Sequence, residues 1–422
     1  MVASFQPLMI ITSSKLLTCT PRIDIIDQGA IVINQGSIHA VGQLRDLKRR
    51  YSDREVIHLQ NAVLMPGLVN AHTHLELPAL LGTIRSKTFS DWVLNLVRAK
   101  KKLTDGNYSS AARKNIITLV QTGTTTVGEI CTHGISPAML AQSGLRAVVF
   151  YEKIDMGPGD SRRSARILSS PRINTALVHY GVSPHSPYTV SEAVLRVMRK
   201  EAQKKAIPLT MHIAESIDEM RLLHRRKSGL EKLYQFARWD LDRAPTGSSS
   251  FEYLDKIGFL CPGLLAVHAV QVRDKDIVLI KKRKVSIVHC PRSNKETGVG
   301  RMPLKMFLDA GIAVGLGTDS LASSPSLNMW DEMRYAYRIH RRDGITPKNI
   351  ILLGTSGGAR ALGMDEKVGS LAPGMKADVI AVALPSKNTG DLYSDLIRET
   401  KSCIMTIVNG RILYQENALR LV

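Results

Sequence analysis

The sequence predicts an α/β protein, a (β/α)8 barrel of TIM type joined to a small β-sandwich domain built from both chain ends. Three observations predict it. Eight short, β-branched apolar runs alternate with longer amphipathic stretches between positions 63 and 318. Both flanks instead carry short alternating runs broken by turn residues. The histidines and the aspartate best suited to chemistry fall at or near the carboxyl ends of the central runs, where such a barrel collects its active site.

Residues 1–61 hold strand-like pieces with turn signals, among them 29–36 and 37–42. The barrel strands are expected at 63–74, 124–130, 145–151, 175–182, 207–214, 264–270, 285–290 and 312–318. The stretches between them mostly have room for helices. Segments 111–122 and 191–205 show the three- and four-residue apolar spacing of a helix face. Segment 244–250, Ala-Pro-Thr-Gly-Ser-Ser-Ser, reads as a loop free to move near the barrel mouth. The flank pattern returns at 369–374, 377–382 and 404–413. Each flank is short for a β-domain of its own. Residues 1–64 and 370–422 are therefore expected to fold together, with 65–369 as the catalytic barrel.

A chain of 422 residues can bury a large core. No apolar run reaches the roughly 20 residues that span a bilayer. The first eleven residues lack the basic-then-apolar order of a secretory signal. Cys19, Cys131, Cys261, Cys290 and Cys403 are scattered and never form Cys-x-x-Cys, which reads as reduced thiols in a cytoplasmic protein. Cys290 follows His289, so a nucleophile pair is one reading; a small buried residue at a strand end is the simpler one.

The formal net charge is +20, from 57 Lys and Arg against 37 Asp and Glu. Clusters at 225–227 and 281–284 are candidates for nucleic-acid binding. The basic residues are nevertheless spread along the chain, with no Cys/His finger and only 5% aromatic residues. The charge reads as a solvated surface compatible with an anionic small-molecule substrate. Neither a nucleic acid nor a membrane is expected as partner.

His72-Thr73-His74 carries the chemistry. Side chains alternate across a strand, so both imidazoles project to one face after the apolar run that ends at Val69. Two converging imidazoles suit a divalent transition metal. His212-Ile213-Ala214-Glu215, Val267-His268-Ala269 and Gly317-Thr318-Asp319 end three further runs with candidate ligands or acid–base groups. Four such segments in this order are hard to obtain by chance.

These motifs, with Pro66-Gly67-Leu68-Val69-Asn70-Ala71 before the histidine pair and Gly369-Ser370-Leu371-Ala372-Pro373-Gly374 near the end, resemble the amidohydrolase superfamily almost end to end. Within it the chain is similar to the branch of nucleoside and base deaminases and chlorohydrolases. The resemblance implies one zinc, with iron or manganese as substitutes, held by His72, His74, His212 and Asp319. It implies proton transfer by Glu215, and a place for His268 at the attacking water. His185, in Ser183-Pro184-His185-Ser186-Pro187, would face the substrate. A homodimer is also implied.

A narrower resemblance is to aminodeoxyfutalosine deaminases of menaquinone synthesis, carried by His74-Leu75-Glu76-Leu77, His289-Cys290-Pro291-Arg292-Ser293-Asn294 and Asp319-Ser320-Leu321-Ala322-Ser323. It implies release of ammonia from a 6-aminopurine nucleoside that bears a carboxylate. Alternatives on the same scaffold are deamination of S-adenosylhomocysteine, methylthioadenosine or guanine, and dechlorination of a triazine. A non-catalytic binding protein is the alternative of another class. Further substrate contacts are expected from Glu76, which could instead cap a following helix, and from Arg292, which could instead make a salt bridge. Trp92, in Phe89-Ser90-Asp91-Trp92, is a candidate wall of the substrate site, with packing of an amphipathic helix the simpler reading. The basic run from Arg98 to Lys102 stands where some nucleoside-deaminase relatives place an acid, a departure that favours an anionic substrate. His39, His58, His133, His179, His224, His289 and His340 lack a ligand context and read as structural.

Overall fold

The computed structural model describes residues 8–416 apart from 53, 85, 157–172 and 388. The first seven and last six residues of the expected composite domain lie outside the described residues. Five strands come first: β1 (Met9–Leu17), β2 (Ile25–Asp27), β3 (Gly29–Asn34), β4 (Ser37–Gln43) and β5 (Val56–Pro66). Eight more make the barrel. They are β6 (Leu68–Thr73), β7 (Thr124–Cys131), β8 (Arg146–Lys153), β9 (Val178–Pro184), β10 (Leu209–Ile213), β11 (Leu264–His268), β12 (Ser286–His289) and β13 (Val314–Leu316). β14 (Val379–Ala383), β15 (Met405–Val408) and β16 (Arg411–Gln415) close the chain.

The barrel strands pair in chain order from β6 to β13, every pairing parallel. The seam between β13 and β6 is closed past the end of β13, where Thr73 bridges Asp319 in parallel. There the backbone N–H groups of Thr318 and Asp319 both donate to the His72 carbonyl, at 3.0 and 3.1 Å. Asn70 completes the stitch, its Nδ2 donating to Thr318 Oγ1 at 2.8 Å and its Oδ1 accepting from the Thr318 N–H at 3.1 Å. The first and eighth strands are thus locked together at the level where His72, His74 and Asp319 emerge.

The expected single run 63–74 is two strands in two sheets. Pro66 offers no N–H, and Gly67 marks the crossing: a Cβ there would meet Thr125 Oγ1 at 2.0 Å. Only glycine lets the chain pass that close. The run 404–413 also divides, at Asn409-Gly410, whose φ angles of 50° and 76° make the two-residue hairpin turn typical of this pair.

Strands from both ends form one mixed sheet in the order β16-β15-β14-β5-β1-β3-β4, with β2 on β1. Its halves meet where β14 pairs antiparallel with β5, from Val379 opposite Pro66 to Ala383 opposite Ala62. Alternation assigns the faces of β14. Val379 and Ala381 pack with Ile11, Leu64 and Ile407 inside this sheet's own core. Ile380 and Val382 join Leu17 and Val63 in the larger core shared with the barrel.

A buried ion pair bolts the two parts together. Arg146, at the start of β8, donates from Nε and Nη2 to the two Asp378 carboxylate oxygens, each at 2.8 Å, with side chains only 3% and 1% exposed. Arg146→Met leaves the Asp378 carboxylate buried without its cation. It is expected to lower unfolding stability by about 3–5 kcal/mol, read as a reduced midpoint in urea denaturation.

One expectation needs correction. The end of segment 244–250 is pinned: Ser249 and Ser250 are fully buried, and their hydroxyls donate to Asp276 and Glu219. Cys290 follows the simpler of its two readings, a small buried residue at a strand end. It lies in an apolar cluster with Val267 and Val288, and burial pushes its thiol well above the usual range. His289 is engaged by His340, Nε2 to Nε2 at 3.1 Å. Among the described residues no helix is long and apolar enough to cross a membrane.

Candidate metal and active site

His72 and His74 leave the end of β6 on one face. The Nε2 atoms of His72 and His74 lie 3.6 and 3.4 Å from Asp319 Oδ1. One ligand atom from each of these three residues falls within 4.8 Å of the others, as do atoms of His72, His212 and His268. His72 belongs to both groups. It is 1% exposed, and neither ring nitrogen has a hydrogen-bond partner. A buried imidazole left unsatisfied is costly unless something else occupies its lone pair.

Supporting contacts aim the other donors. His212 Nδ1 is 2.9 Å from the His185 carbonyl, which turns Nε2 toward the centre. His268 Nδ1 is held 2.9 Å from Asn294 Oδ1, and its Nε2 lies 3.5 Å from Glu215 Oε1. Asp319 Oδ2 accepts from Ser293 at 2.6 Å and Ser323 at 2.8 Å, leaving Oδ1 to the histidines. The backbone is strained to the same end. Ala214, His268, Ala269 and Asp319 all adopt left-handed φ angles, of 54°, 72°, 45° and 56°. Such strain at the mouths of strands collects at functional sites. The turn at Ala214 is held by Glu219, whose carboxylate accepts the Ala214 and Glu215 N–H groups, each at 2.9 Å.

Burial keeps His72 and His74 neutral, lowering them to about 4 and about 3. Burial works against the Asp319 charge, but the imidazoles of His72, His74 and His268 around it hold its carboxyl well below the ordinary range. Burial drives Glu215 the other way, up to about 8, with His212 partly opposing it. Neutral imidazoles, an ionised carboxylate and the orphaned His72 nitrogens are the donor set of a divalent transition metal.

Above the cluster opens a cavity of about 460 Å³. His74, His212, Glu215, His268 and Asp319 line one end. His185 faces it as well, its Nδ1 held 2.9 Å from Thr189 Oγ1. Trp92 forms part of the wall, stacked on Phe89 with ring centroids 6.0 Å apart. The sequence-derived residues on the four strand ends therefore converge, and His185 and Trp92 join them.

Glu76 and Arg292 do not, and both expectations are corrected. Glu76 is 2% exposed and fully employed by backbone. It accepts N–H groups from Thr132 at 3.1, His133 at 2.6, Ile135 at 2.8 and Ser136 at 2.9 Å. It thereby caps the start of the helix Ser136–Ser143 rather than reaching a substrate. Arg292 donates to Ser326 Oγ at 2.9 Å and sits 3.5 and 3.6 Å from Asp331 and Glu332, outside the cavity.

Sequence reasoning gave no role to Asn294, Ser293, Ser323 and Glu152. Glu152 lies near the end of β8 and lines the cavity, so the same strand-end rule would have flagged it. Asn294→Ala frees His268 to rotate, and is expected to cut kcat/KM by about 10- to 100-fold, with an unchanged circular dichroism spectrum as the control.

The amidohydrolase family matches residues 63–413. A 5-methylthioadenosine/S-adenosylhomocysteine deaminase of Thermococcus sibiricus is 32% identical over 83% of this chain and 80% of its own length. A 5'-deoxyadenosine deaminase of Methanosarcina barkeri is 29% identical over 97% and 93%. Among solved structures, a zinc-bound adenosine deaminase from Xanthomonas campestris superposes with a TM-score of 0.83 at 25% identity, covering 96% of this chain and 92% of that one. The aminofutalosine deaminase of Helicobacter pylori, complexed with methylthio-coformycin, reaches 0.87 at 22% identity over 96% and 99%, a likeness of fold.

Proposed function

This chain belongs to the amidohydrolase family, and we propose that it is a hydrolytic deaminase of a 6-aminopurine nucleoside. The observation that carries the reading is the placement of Glu215 and His268 beside the four donors His72, His74, His212 and Asp319, at the closed end of a nucleoside-sized cavity. The relatives that deaminate adenosine derivatives support it.

Deamination requires water to add to purine C6 and ammonia to leave. A divalent cation on the four donors supplies Lewis acidity, lowering the pKa of water from about 15.7 to about 7. The remaining work falls to side chains. Glu215 takes one proton of the attacking water and delivers it to ring nitrogen N1, which removes the charge that would otherwise build on the ring. His268, oriented by Asn294, hydrogen-bonds the incoming oxygen. Asp319 receives the second proton and passes it to the exocyclic amine, which departs as ammonia while the C6 carbonyl forms. His185, kept neutral by burial, offers its ring to the far edge of the purine.

Aminodeoxyfutalosine is the best single substrate candidate. Supporting this are the apolar cavity wall, the basic run at 98–102, and the likeness of fold to the Helicobacter pylori enzyme. The second reading is methylthioadenosine, S-adenosylhomocysteine or 5'-deoxyadenosine, favoured by the relatives of higher identity. The test is ammonia release by metal-loaded protein from these four compounds, adenosine and guanine, with chloride release from a chlorotriazine run alongside. A large kcat/KM preference for aminodeoxyfutalosine is expected. Preference for another adenosine derivative transfers the assignment to that compound, and chloride without ammonia refutes deamination.

A further inference from the structure

The cavity has a second charged feature besides the metal donors. Its wall includes Trp92, Val93, Leu96 and Val97 from the helix Phe89–Lys100, faced by Phe236 and Trp239. The last residue of that helix, Lys100, and the next, Lys101, also line it. Phe236 is 36% exposed, so this end is the mouth. The two lysines differ. Lys101 lays its ammonium over the Phe236 ring, 4.4 Å from the centroid, and is exposed. Lys100 is half-buried, and among the described residues no carboxylate pairs with its ammonium. The carboxylates that line the cavity, Glu152, Glu215 and Asp319, belong to the histidine end.

A lysine in the last turn of a helix is ordinarily explained by the helix dipole. That account covers an exposed side chain such as Arg98. It does not account for a half-buried lysine that lines a largely apolar cavity with no carboxylate paired to it among the described residues. Lys100 also adds to the burial that depresses the imidazole of His185, which lines the same cavity.

We propose that Lys100 is the specificity-determining residue of this cavity, its ammonium holding an anionic group borne on the 5′ side of the nucleoside. The assignment rests on the deaminase reading, which places purine C6 at the histidines. C6 and C5′ lie at opposite ends of a nucleoside, so a 5′ substituent points to the mouth, along the aromatic wall, toward Lys100. The counter-charge that Lys100 lacks among the described residues then arrives with the substrate.

The test uses three probes on the metal-loaded full chain: neutral 5′-deoxyadenosine, adenosine-5′-carboxylate and adenosine 5′-monophosphate. Both kcat/KM for ammonia release and Kd by equilibrium titration are measured for the parent, Lys100→Met, Lys100→Arg and the exposed control Lys256→Met. The control separates a local contact from the attraction of a +20 protein for any anion. The parent should prefer one of the anionic probes, and which one distinguishes carboxylate from phosphate. Lys100→Met should reduce that preference by about 10-fold or more, equivalent to about 1.4 kcal/mol. Lys100→Arg should keep most of it, and Lys256→Met should leave it within about twofold. A parent that deaminates 5′-deoxyadenosine but shows no anion preference overturns the role of Lys100 and leaves the deaminase standing. So does a preference that survives Lys100→Met, or falls equally in Lys256→Met. No ammonia from any probe or from the wider panel above defeats the deaminase reading, while the Kd ratios still decide whether Lys100 selects anions.

Discussion

His72→Ala is expected to release the metal and to lower kcat on the order of 10³-fold or more. Lewis-acid stabilisation contributes several kcal/mol to such a transition state, and each 1.36 kcal/mol is about tenfold in rate. His72 is the informative ligand because it joins the group with His74 and Asp319 to the group with His212 and His268, and because both of its ring nitrogens lack any other partner. Metal content by elemental analysis should fall from near one equivalent to near zero. Stability should move in a way that simple damage to the fold would not produce. A ligand that binds only the native state raises Tm by mass action, so added zinc should raise Tm in the parent and leave the variant unmoved. Without metal the order can reverse, since the parent alone keeps a desolvated imidazole with two unsatisfied nitrogens. A variant that still gains stability from zinc would show that His74, His212 and Asp319 hold the ion without it, and would refute the central place given to His72.

The chemistry at the strand ends is legible from sequence because local rules set it. Period-2 alternation puts His72 and His74 on one face whatever the rest of the chain does. A parallel barrel then gathers the ends of β10, β11 and β13 at the same rim, so His212, His268 and Asp319 follow from the strand pattern alone. Glu76 and Arg292 failed for the opposite reason. Each is a charged residue just beyond a strand end, and whether it meets a ligand or the protein's own polar groups depends on how a loop elsewhere is routed. The loop after β7 needed an acceptor for four backbone N–H groups, and Glu76 supplied it. Arg292 was taken up by acids 39 and 40 positions away, at Asp331 and Glu332. Asn294 could not be chosen from sequence either, since its partner His268 lies 26 positions back. The hairpin at Asn409-Gly410 was readable from its turn residues, but one apolar run on both sides hid it.

Glu215→Gln is expected to lower kcat by about 10²–10⁴-fold while metal content and Tm stay close to those of the parent. The amide has nearly the same shape, and Glu215 is oriented through its own backbone N–H, held by Glu219, which the substitution leaves in place. What disappears is the ability to take a proton from water and deliver it to N1. The environment is suited to that exchange. Burial raises the Glu215 carboxyl to about 8 in the metal-free site, so its two protonation states are close in free energy near neutral pH. A cation bound to the neighbouring ligands favours the ionised form and moves the value down. The sign of the pH effect follows. The carboxylate is the working base, so kcat/KM should fall as pH drops through the Glu215 pKa, with that acid limb below pH 8 in the metal-loaded protein. A carboxamide at this position does not titrate, and the limb should vanish from the residual activity of E215Q. If the variant keeps both its rate and its acid limb, the proton is carried by another group, and Asp319, the carboxylate that shares a donor group with His72 and His74, is the first to test.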